Sequence, residues 1–274
     1  MKNLSLFCLT LNPQHEKIIK ELSYIPVGLG EENFSINCFN DKKGDNISIK
    51  NPHYGEYTFH YWIWKNYLTK IDTDWVGFCQ YRKFFLDENS TGRSFKSFES
   101  LKENIIQNIP NNFTMYDCIL GEKSFVNDYK FMKFIKQNPI KTFTSLNLIF
   151  SKKKRNIKFH FDMFHGDGNL EKAIELLDEE NKKGFTNFVK SRGSFNPQNM
   201  FICRKEILIN YYNTVFPWLK RCERIFGFDK LKGYGMKRIY GFLAERFLSY
   251  WFQKNYKVKE LPIIVKDISD YKNL

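Results

Sequence analysis

The stretch from Gly44 to Phe85, GDNISIKNPHYGEYTFHYWIWKNYLTKIDTDWVGFCQYRKFF, constrains this chain more than any other. It opens as a polar loop, Gly44 to Asn51, built from Asp45, Asn46, Ser48, Lys50 and Asn51. Tyr54 to Asn66 follows, dense in aromatic residues, with Gly55 as its weak point. Tyr57, Tyr61, Trp64 and Leu68 fall at i, i+4, i+7 and i+11, which is one face of a helix. Pro52 after Asn51 suits a helix start, because a first-turn N–H has no partner to lose. Trp75-Val76-Gly77-Phe78-Cys79 then reads as a short buried strand that turns polar at Gln80-Tyr81-Arg82-Lys83. In open α/β sheets ligands sit beyond the carboxyl ends of strands, so this polar tip is where a site is expected.

The remaining segments alternate in the same manner. Leu4 to Asn12 is a first buried strand and Gln14 to Leu22 a short helix. Ile25 to Gly30 reads as a loop whose two glycines lack the spacing of a phosphate-binding fingerprint. A helix is predicted over Ser97 to Ile109, and a second buried strand over Met115 to Leu120. Asn169 is the expected N-cap of an amphipathic helix reaching Glu180. A strand follows Asn199. Lys205 to Arg224 is a helix interrupted by Pro217. Arg238 to Gln253 is a final helix, and Val258 to Lys266 can add an edge strand. Strands interleaved with helices argue for α/β layers around a mixed sheet.

Composition narrows the class. The chain has 274 residues, 42% of them hydrophobic and 18% aromatic, enough for a globular core. Its formal charge of +13 favours acidic partners such as nucleotide phosphates, nucleic acid or anionic lipid headgroups, or else describes a lysine-rich solvated surface. Basic residues cluster at Lys152-Lys153-Lys154-Arg155 and from Lys230 to Arg238, without the interleaved stacking aromatics of a nucleic-acid module. The six cysteines contain no CxxC pair, which speaks against a zinc cage and for buried thiols in a reducing cytoplasm. No apolar stretch approaches the roughly 20 residues of a membrane span, and Leu4 to Leu11 is too short for a signal-peptide core.

On the residues of the Gly44–Phe85 stretch (Gly44-Asp45-Asn46-Ile47-Ser48, Tyr61-Trp62-Ile63-Trp64-Lys65-Asn66 and Tyr81-Arg82-Lys83-Phe84-Phe85) the chain resembles a family of bacterial capsular and exopolysaccharide glycosyltransferases, long catalogued as a domain of unknown function. The resemblance resumes in order at His160 and His165, at Asn199-Met200-Phe201-Ile202, and from Arg238 through Tyr240-Gly241-Phe242 to Ala244-Glu245-Arg246. It departs where the family has His-Tyr-Arg-Arg and this chain has Gln80-Tyr81-Arg82-Lys83, and where the family has Asp and this chain has Asn169. Between Phe125 and Lys158 the family pattern is lost. The resemblance implies a GT-A-like nucleotide-sugar fold spanning 1–274, with a donor-binding half over about 1–125 and an acceptor or catalytic half over about 126–274. It also implies a UDP-linked donor, of galactofuranose type in some members, and a polysaccharide or lipid-linked glycan acceptor. The expected setting is cytoplasmic, with peripheral contact to an anionic membrane and no nucleic-acid partner.

Glycosyl transfer needs cations for the leaving diphosphate, a base for the acceptor hydroxyl if the enzyme inverts, and a nucleotide pocket. The fold usually holds Mg²⁺ or Mn²⁺ on an Asp-x-Asp at a strand tip. Asp72-x-Asp74 has that spelling at the wrong end of the strand and reads as a solvated turn, and His165-x-Asp167 offers an isolated pair. No metal ligand is therefore assigned. Arg82 and Lys83 can meet phosphate directly, unless Arg82 pairs with a structural carboxylate. Glu245 is the leading base, set against an ion pair with Arg246 or Arg238. Glu56 is the second candidate, expected to be buried and paired or neutral. Asp45 and Asn46 fit uracil or ribose, or an Asx turn. Asn51, Tyr54, Gln80 and Tyr81 complete the expected donor pocket. His165, Asn199, Arg238 and Arg246 are expected toward acceptor or phosphate, with His165 accessible and His160 a core histidine. A non-catalytic nucleotide- or glycan-binding module of the same fold is the alternative.

Overall fold

The computed structural model describes residues 3–90, 92, 95–128, 144, 151 and 155–271. Most of 125–158 therefore lies outside the described residues, and of the basic run at 152–155 only Arg155 falls within them. Among the described residues, one nine-stranded sheet runs β10-β6-β9-β4-β1-β2-β3. Its strands are β1 (Leu4–Thr10), β2 (Ile25–Gly28), β3 (Phe39–Asn40), β4 (Trp75–Gln80), β5 (Lys83–Phe85), β6 (Cys118–Gly121), β9 (Phe201–Arg204), β10 (Val258–Leu261) and β11 (Ile263–Val265). A separate ribbon pairs β7 (Ser124–Phe125) with β8 (Ser194–Phe195). β1 is parallel to β2 and β4, and β10 to β6. β9 runs antiparallel between β4 and β6, and β5 extends the tip of β4 to pair with β11. The sheet is thus mixed and mostly parallel.

Period-two alternation fills both faces. Phe7, Leu9, Val76, Phe78, Phe201 and Cys203 point into one core, and Leu4, Leu6, Cys8, Trp75, Cys79 and Ile202 into the other. The first core is covered by α3 (Tyr57–Asn66), α8 (Lys205–Phe226) and α10 (Ile239–Asn255); the second by α1 (His15–Glu21) and α4 (Phe98–Asn104). Between α4 and α8 the chain adds α5 (Ile157–His165), α6 (Asn169–Glu175) and α7 (Glu179–Ser191). Two short helices, α2 (Asn51–Tyr54) and α9 (Tyr234–Lys237), lead into α3 and α10. All six cysteines are buried free thiols. No described helix is long and apolar enough to cross a membrane.

Several local expectations change. The loop expected at Ile25–Gly30 is a strand over its first four residues, because pairing with β1 on one side and β3 on the other outweighs the Pro and Gly punctuation. The helix expected over Ser97–Ile109 stops at Asn104, although Ser97 does cap it by accepting from the Ser100 N–H. Asn169 is not an N-cap: Gly168, with φ of 72°, holds that position, and the Asn169 amide donates to the His165 carbonyl instead. The helix it opens ends at Glu175, and α7 starts afresh at Glu179. Pro217 does not interrupt its helix, since Phe216, Trp218 and Leu219 around it are buried and hold the backbone helical. Asp72 and Asp74 are exposed at the start of β4, as a solvated turn should be.

His60 on α3 is fully buried against Phe78 and Phe201, with Nδ1 2.6 Å from the Tyr212 hydroxyl. Desolvation pushes its pKa down to about 3. The unfolded chain therefore takes up a proton that the folded chain refuses. His60 contributes no pH dependence above about 6.5, and below that it erodes stability by up to ~1.4 kcal/mol per pH unit until about pH 3. Urea unfolding between pH 7.5 and 5 should show this slope, and His60→Gln, which keeps an acceptor for Tyr212, should flatten it. An unchanged slope in the variant would refute the assignment.

Candidate functional site

A cavity of about 210 Å³ opens where the carboxyl ends of β1 and β4 meet. From β1 the chain leaves to β2 on one side, while β4 lies on the other, so the cavity sits at the topological switch point of the sheet. Its walls come from both halves of the sequence. Thr10 and Leu11 end β1; Asn51, Gly55 and Glu56 form the α2–α3 junction; Gln80 to Lys83 form the strand tip. Gln198, Asn199, Tyr234, Arg238, Phe242 and Glu245 close the far side.

Two carboxylates face this space. Glu56 sits at the N-cap of α3, where it accepts from Asn199 Nδ2 at 2.8 Å and from Arg238 Nη2 at 3.2 Å. Glu245 on α10 accepts from the Gln198 backbone N–H and from the Arg246 guanidinium. Burial pushes the Glu245 pKa up, Arg246 and the Gln198 amide pull it down, and the Glu56 charge adds to the rise. The ion pair expected as the alternative for Glu245 is therefore present, with Arg246; Arg238 serves Glu56 instead.

Arg246 is itself buried, only 2% exposed, with its guanidinium 4.2 Å from the Phe195 ring centroid. A guanidinium only donates, so the ring nitrogens it meets must be acceptors: His160 Nδ1 at 3.2 Å and His165 Nε2 at 3.4 Å. His165 Nδ1 carries the proton and donates to the Gly235 carbonyl at 3.1 Å. His165, expected to be accessible beside Gly166, is instead buried: it ends α5 stacked 4.0 Å from Phe242, and desolvation with the Arg246 charge holds its pKa well below the usual histidine value.

The opposite rim is basic. Arg82 is exposed and has no carboxylate partner among the described residues, so the structural ion pair weighed for it does not form there. Lys83 is partly buried; desolvation and the Arg82 charge lower its pKa, opposed by Glu245 and Glu56. Gln80 Nε2 donates to the Gln198 carbonyl at 3.2 Å, and Asn51 Nδ2 bonds the Gly55 carbonyl and the Thr58 hydroxyl, both at 3.1 Å. Tyr81 packs 4.9 Å from the His15 ring.

Five of the expected residues do not line the cavity: His165 and Arg246, described above, and Asp45, Asn46 and Tyr54. Asn46 Oδ1 accepts from the Ser48 N–H and hydroxyl, the Asx turn given as the alternative, and Asp45 accepts from the Tyr61 hydroxyl. Neither lines the cavity. Tyr54 is buried behind it, stacked on Tyr240 and donating to Glu223. Conversely, Thr10, His15 and Gln198 were not among the residues expected at the site. Thr10 Oγ1 lies 2.7 Å from His15 Nδ1, and His15 Nε2 lies 2.8 Å from Ser269 Oγ, so the end of β1 is tied to the C-terminal turn. Gln198 and Asn199 both have left-handed backbone, with φ of 80° and 53°. Two such residues in succession, one of them Gln, store strain beside the cavity. Asn after Pro-Gln was the available signal, since Asn tolerates this region.

Among the described residues no group of three or more His, Cys, Asp or Glu is arranged to hold a metal ion. The donor set at the cavity, two carboxylates each already held by an arginine and an amide, does not fit a divalent ion. The basic side chains that line the cavity are Arg82, Lys83 and Arg238.

Gly55 joins α2 to α3 at φ 59° and ψ −135°, a region almost reserved for glycine. A Cβ there would lie 2.1 Å from Arg238 Nη2. Gly55→Ala should lose about 1–3 kcal/mol and displace Arg238 from Glu56. A denaturation midpoint equal to the parent's would show that the junction is not strained.

No curated protein matches this sequence. Among solved structures, the WbbM bifunctional glycosyltransferase, in its apo structure, superposes with a TM-score of 0.71 at 23% identity, over 97% of this chain and 45% of that one. This chain thus spans less than half of that protein, and the likeness is one of fold: a GT-A-like mixed sheet flanked by helices. The sequence pattern described as a domain of unknown function, DUF4422, matches residues 9–256, and the chain belongs to that family.

Proposed function

We propose that this protein is a glycosyltransferase that moves a sugar from a nucleotide diphosphate, UDP-linked and of galactofuranose type, to a growing surface glycan, with inversion. The observation that carries the proposal is the division of charge across one cavity at the switch point of a GT-A-like sheet. Arg82, without a carboxylate partner among the described residues, and partly buried Lys83 line one side, and Glu56 and Glu245 line the other. A diphosphate leaving group fits the basic side, where a planar guanidinium offers two parallel donors. An acceptor hydroxyl fits the acidic side. Glu245, pushed toward proton uptake by burial, is the proposed base. Arg246, with His160 and His165 behind it, fixes the Glu245 carboxylate in place. Glu56, held by Asn199 and Arg238, is assigned to sugar hydroxyls.

Calorimetric titration with UDP tests the donor side. Binding is expected, it should weaken at least tenfold in Arg82→Ala, and Arg82→Lys should already show a loss because an ammonium lacks the planar fork. No UDP binding at millimolar concentration, or an unaffected Arg82→Ala, would remove the donor assignment. Binding with no transfer to any glycan would instead favour a nucleotide-binding module.

Glu245→Gln tests the base. It leaves the Arg246 charge buried and uncompensated, which should lower stability by about 3–5 kcal/mol. Turnover is therefore compared at a temperature where the variant is fully folded. A loss of about 10²–10⁴ there is expected, together with loss of the acidic limb by which parental turnover falls as pH drops through the raised Glu245 pKa. Full activity in the folded variant would transfer the role to Glu56.

A further inference from the structure

A second cavity, about 320 Å³, lies between α3 and α8 and is larger than the one described above. It falls at the lower end of the roughly 300–1,000 Å³ typical of small-molecule sites. Its floor is a box of three rings. Trp64 and Phe216 are parallel at 5.3 Å, and Tyr61 meets each edge-on, at 5.8 Å and 5.3 Å. Tyr61 and Trp64 are partly exposed, as is Trp62 of the same helix, while Tyr57, Phe59 and His60 are buried. Four charged residues surround the box. Lys50 is neutralised by Glu223, at 2.7 and 2.9 Å, and Glu223 also accepts from Tyr54. Lys65 and Lys220 have no carboxylate partner among the described residues; Lys65 is held 3.5 Å from the Trp64 ring centroid as a cation–π pair, which leaves its charge available.

The wall between the two cavities is α2. Lys50 and Tyr54 face the aromatic cavity, while Asn51 and Gly55 line the proposed active site. One helix, roughly 10 Å across, therefore separates them, a span an oligosaccharide crosses in a few residues. We infer that the cavity between α3 and α8 is a second saccharide site, which takes an acidic sugar unit of the glycan whose end is extended in the first cavity. The apolar C–H face of a sugar ring suits the ring box. Its hydroxyls suit the Lys50–Glu223 pair, and its acid group suits Lys65 and Lys220. This inference rests on the glycosyl-transfer proposal for the identity of the chain it holds, but not for the binding itself.

The test is a titration of the whole protein, without nucleotide, with a galacturonate hexasaccharide, followed by calorimetry and tryptophan fluorescence. Submillimolar binding is expected, at least tenfold weaker in Trp64→Ala and in the double variant Lys65→Glu with Lys220→Glu. A neutral maltohexaose should bind at least tenfold more weakly than the uronate. The lysines are exposed, so the double variant stays informative if Trp64→Ala fails to fold. No binding at millimolar hexasaccharide, binding insensitive to the lysine changes, or equal binding of the neutral sugar would overturn the inference. So would lysine-dependent retention on phosphatidylglycerol vesicles with no saccharide binding, which would make the patch a membrane contact. UDP titration of the double variant separates the two proposals: intact UDP binding beside lost glycan binding assigns the loss to this cavity, and glycan binding without UDP binding refutes only the donor site.

Discussion

A guanidinium buried among aromatic rings has to be compensated, and the architecture around the cavity answers to that requirement at Arg246. Unpaired, a charge in such surroundings costs several kcal/mol. Its compensation includes Glu245 one residue earlier on α10, His160 in the middle of α5 and His165 at the end of α5. The histidines serve only while neutral, and the Gly235 carbonyl fixes the His165 tautomer that can accept. Docking of α5 on α10 and the orientation of Glu245 are therefore one event, not two.

The same interaction reaches the sheet through the turn before β9. Gln198 gives its N–H to Glu245 and its carbonyl to Gln80, while Asn199 gives its amide to Glu56 and Gly241. A turn that must aim two consecutive residues at two carboxylates cannot relax to ordinary backbone, which accounts for the left-handed φ at both positions. The strain is the consequence of holding both acids across from the basic tip of β4. A like arrangement on the other side, with Gly55 passing close under Arg238, leaves no room for a side chain.

Aromatic density serves two ends in this molecule. Tyr57, Phe59 and His60 of the Tyr57–Asn66 helix are ordinary core, packed on Phe78 and on Tyr211, Tyr212 and Phe216 of α8. Of its partly exposed rings, Tyr61 and Trp64 form the floor of the aromatic cavity beyond α2, whereas Trp62 packs on Phe39 and Tyr67. Helical spacing distributes the two groups: residues one or two apart leave the helix on different sides.

The sequence by itself determined the layer architecture and pointed to the strand tip that lines the cavity. Short continuous apolar runs at Leu4–Thr10 and Trp75–Gln80 dictate buried strands, and the abrupt polarity of Gln80 to Lys83 marks a carboxyl end that has nothing left to bury. It also offered the Glu245–Arg246 pair as an alternative, because an acid and a base on an apolar helix need partners. Only the tertiary structure decided who those partners are. Arg238 meets Glu56 across 182 residues and Asn199 meets it across 143, distances no local pattern encodes. It likewise drew Asp45 and Asn46 into loop closure, buried His165, and made a strand of Ile25–Gly28, since each of these outcomes depends on what packs alongside and not on the residue's own preference. Local chemistry fixes which groups must be satisfied; the long-range contacts of the fold select the group that satisfies each.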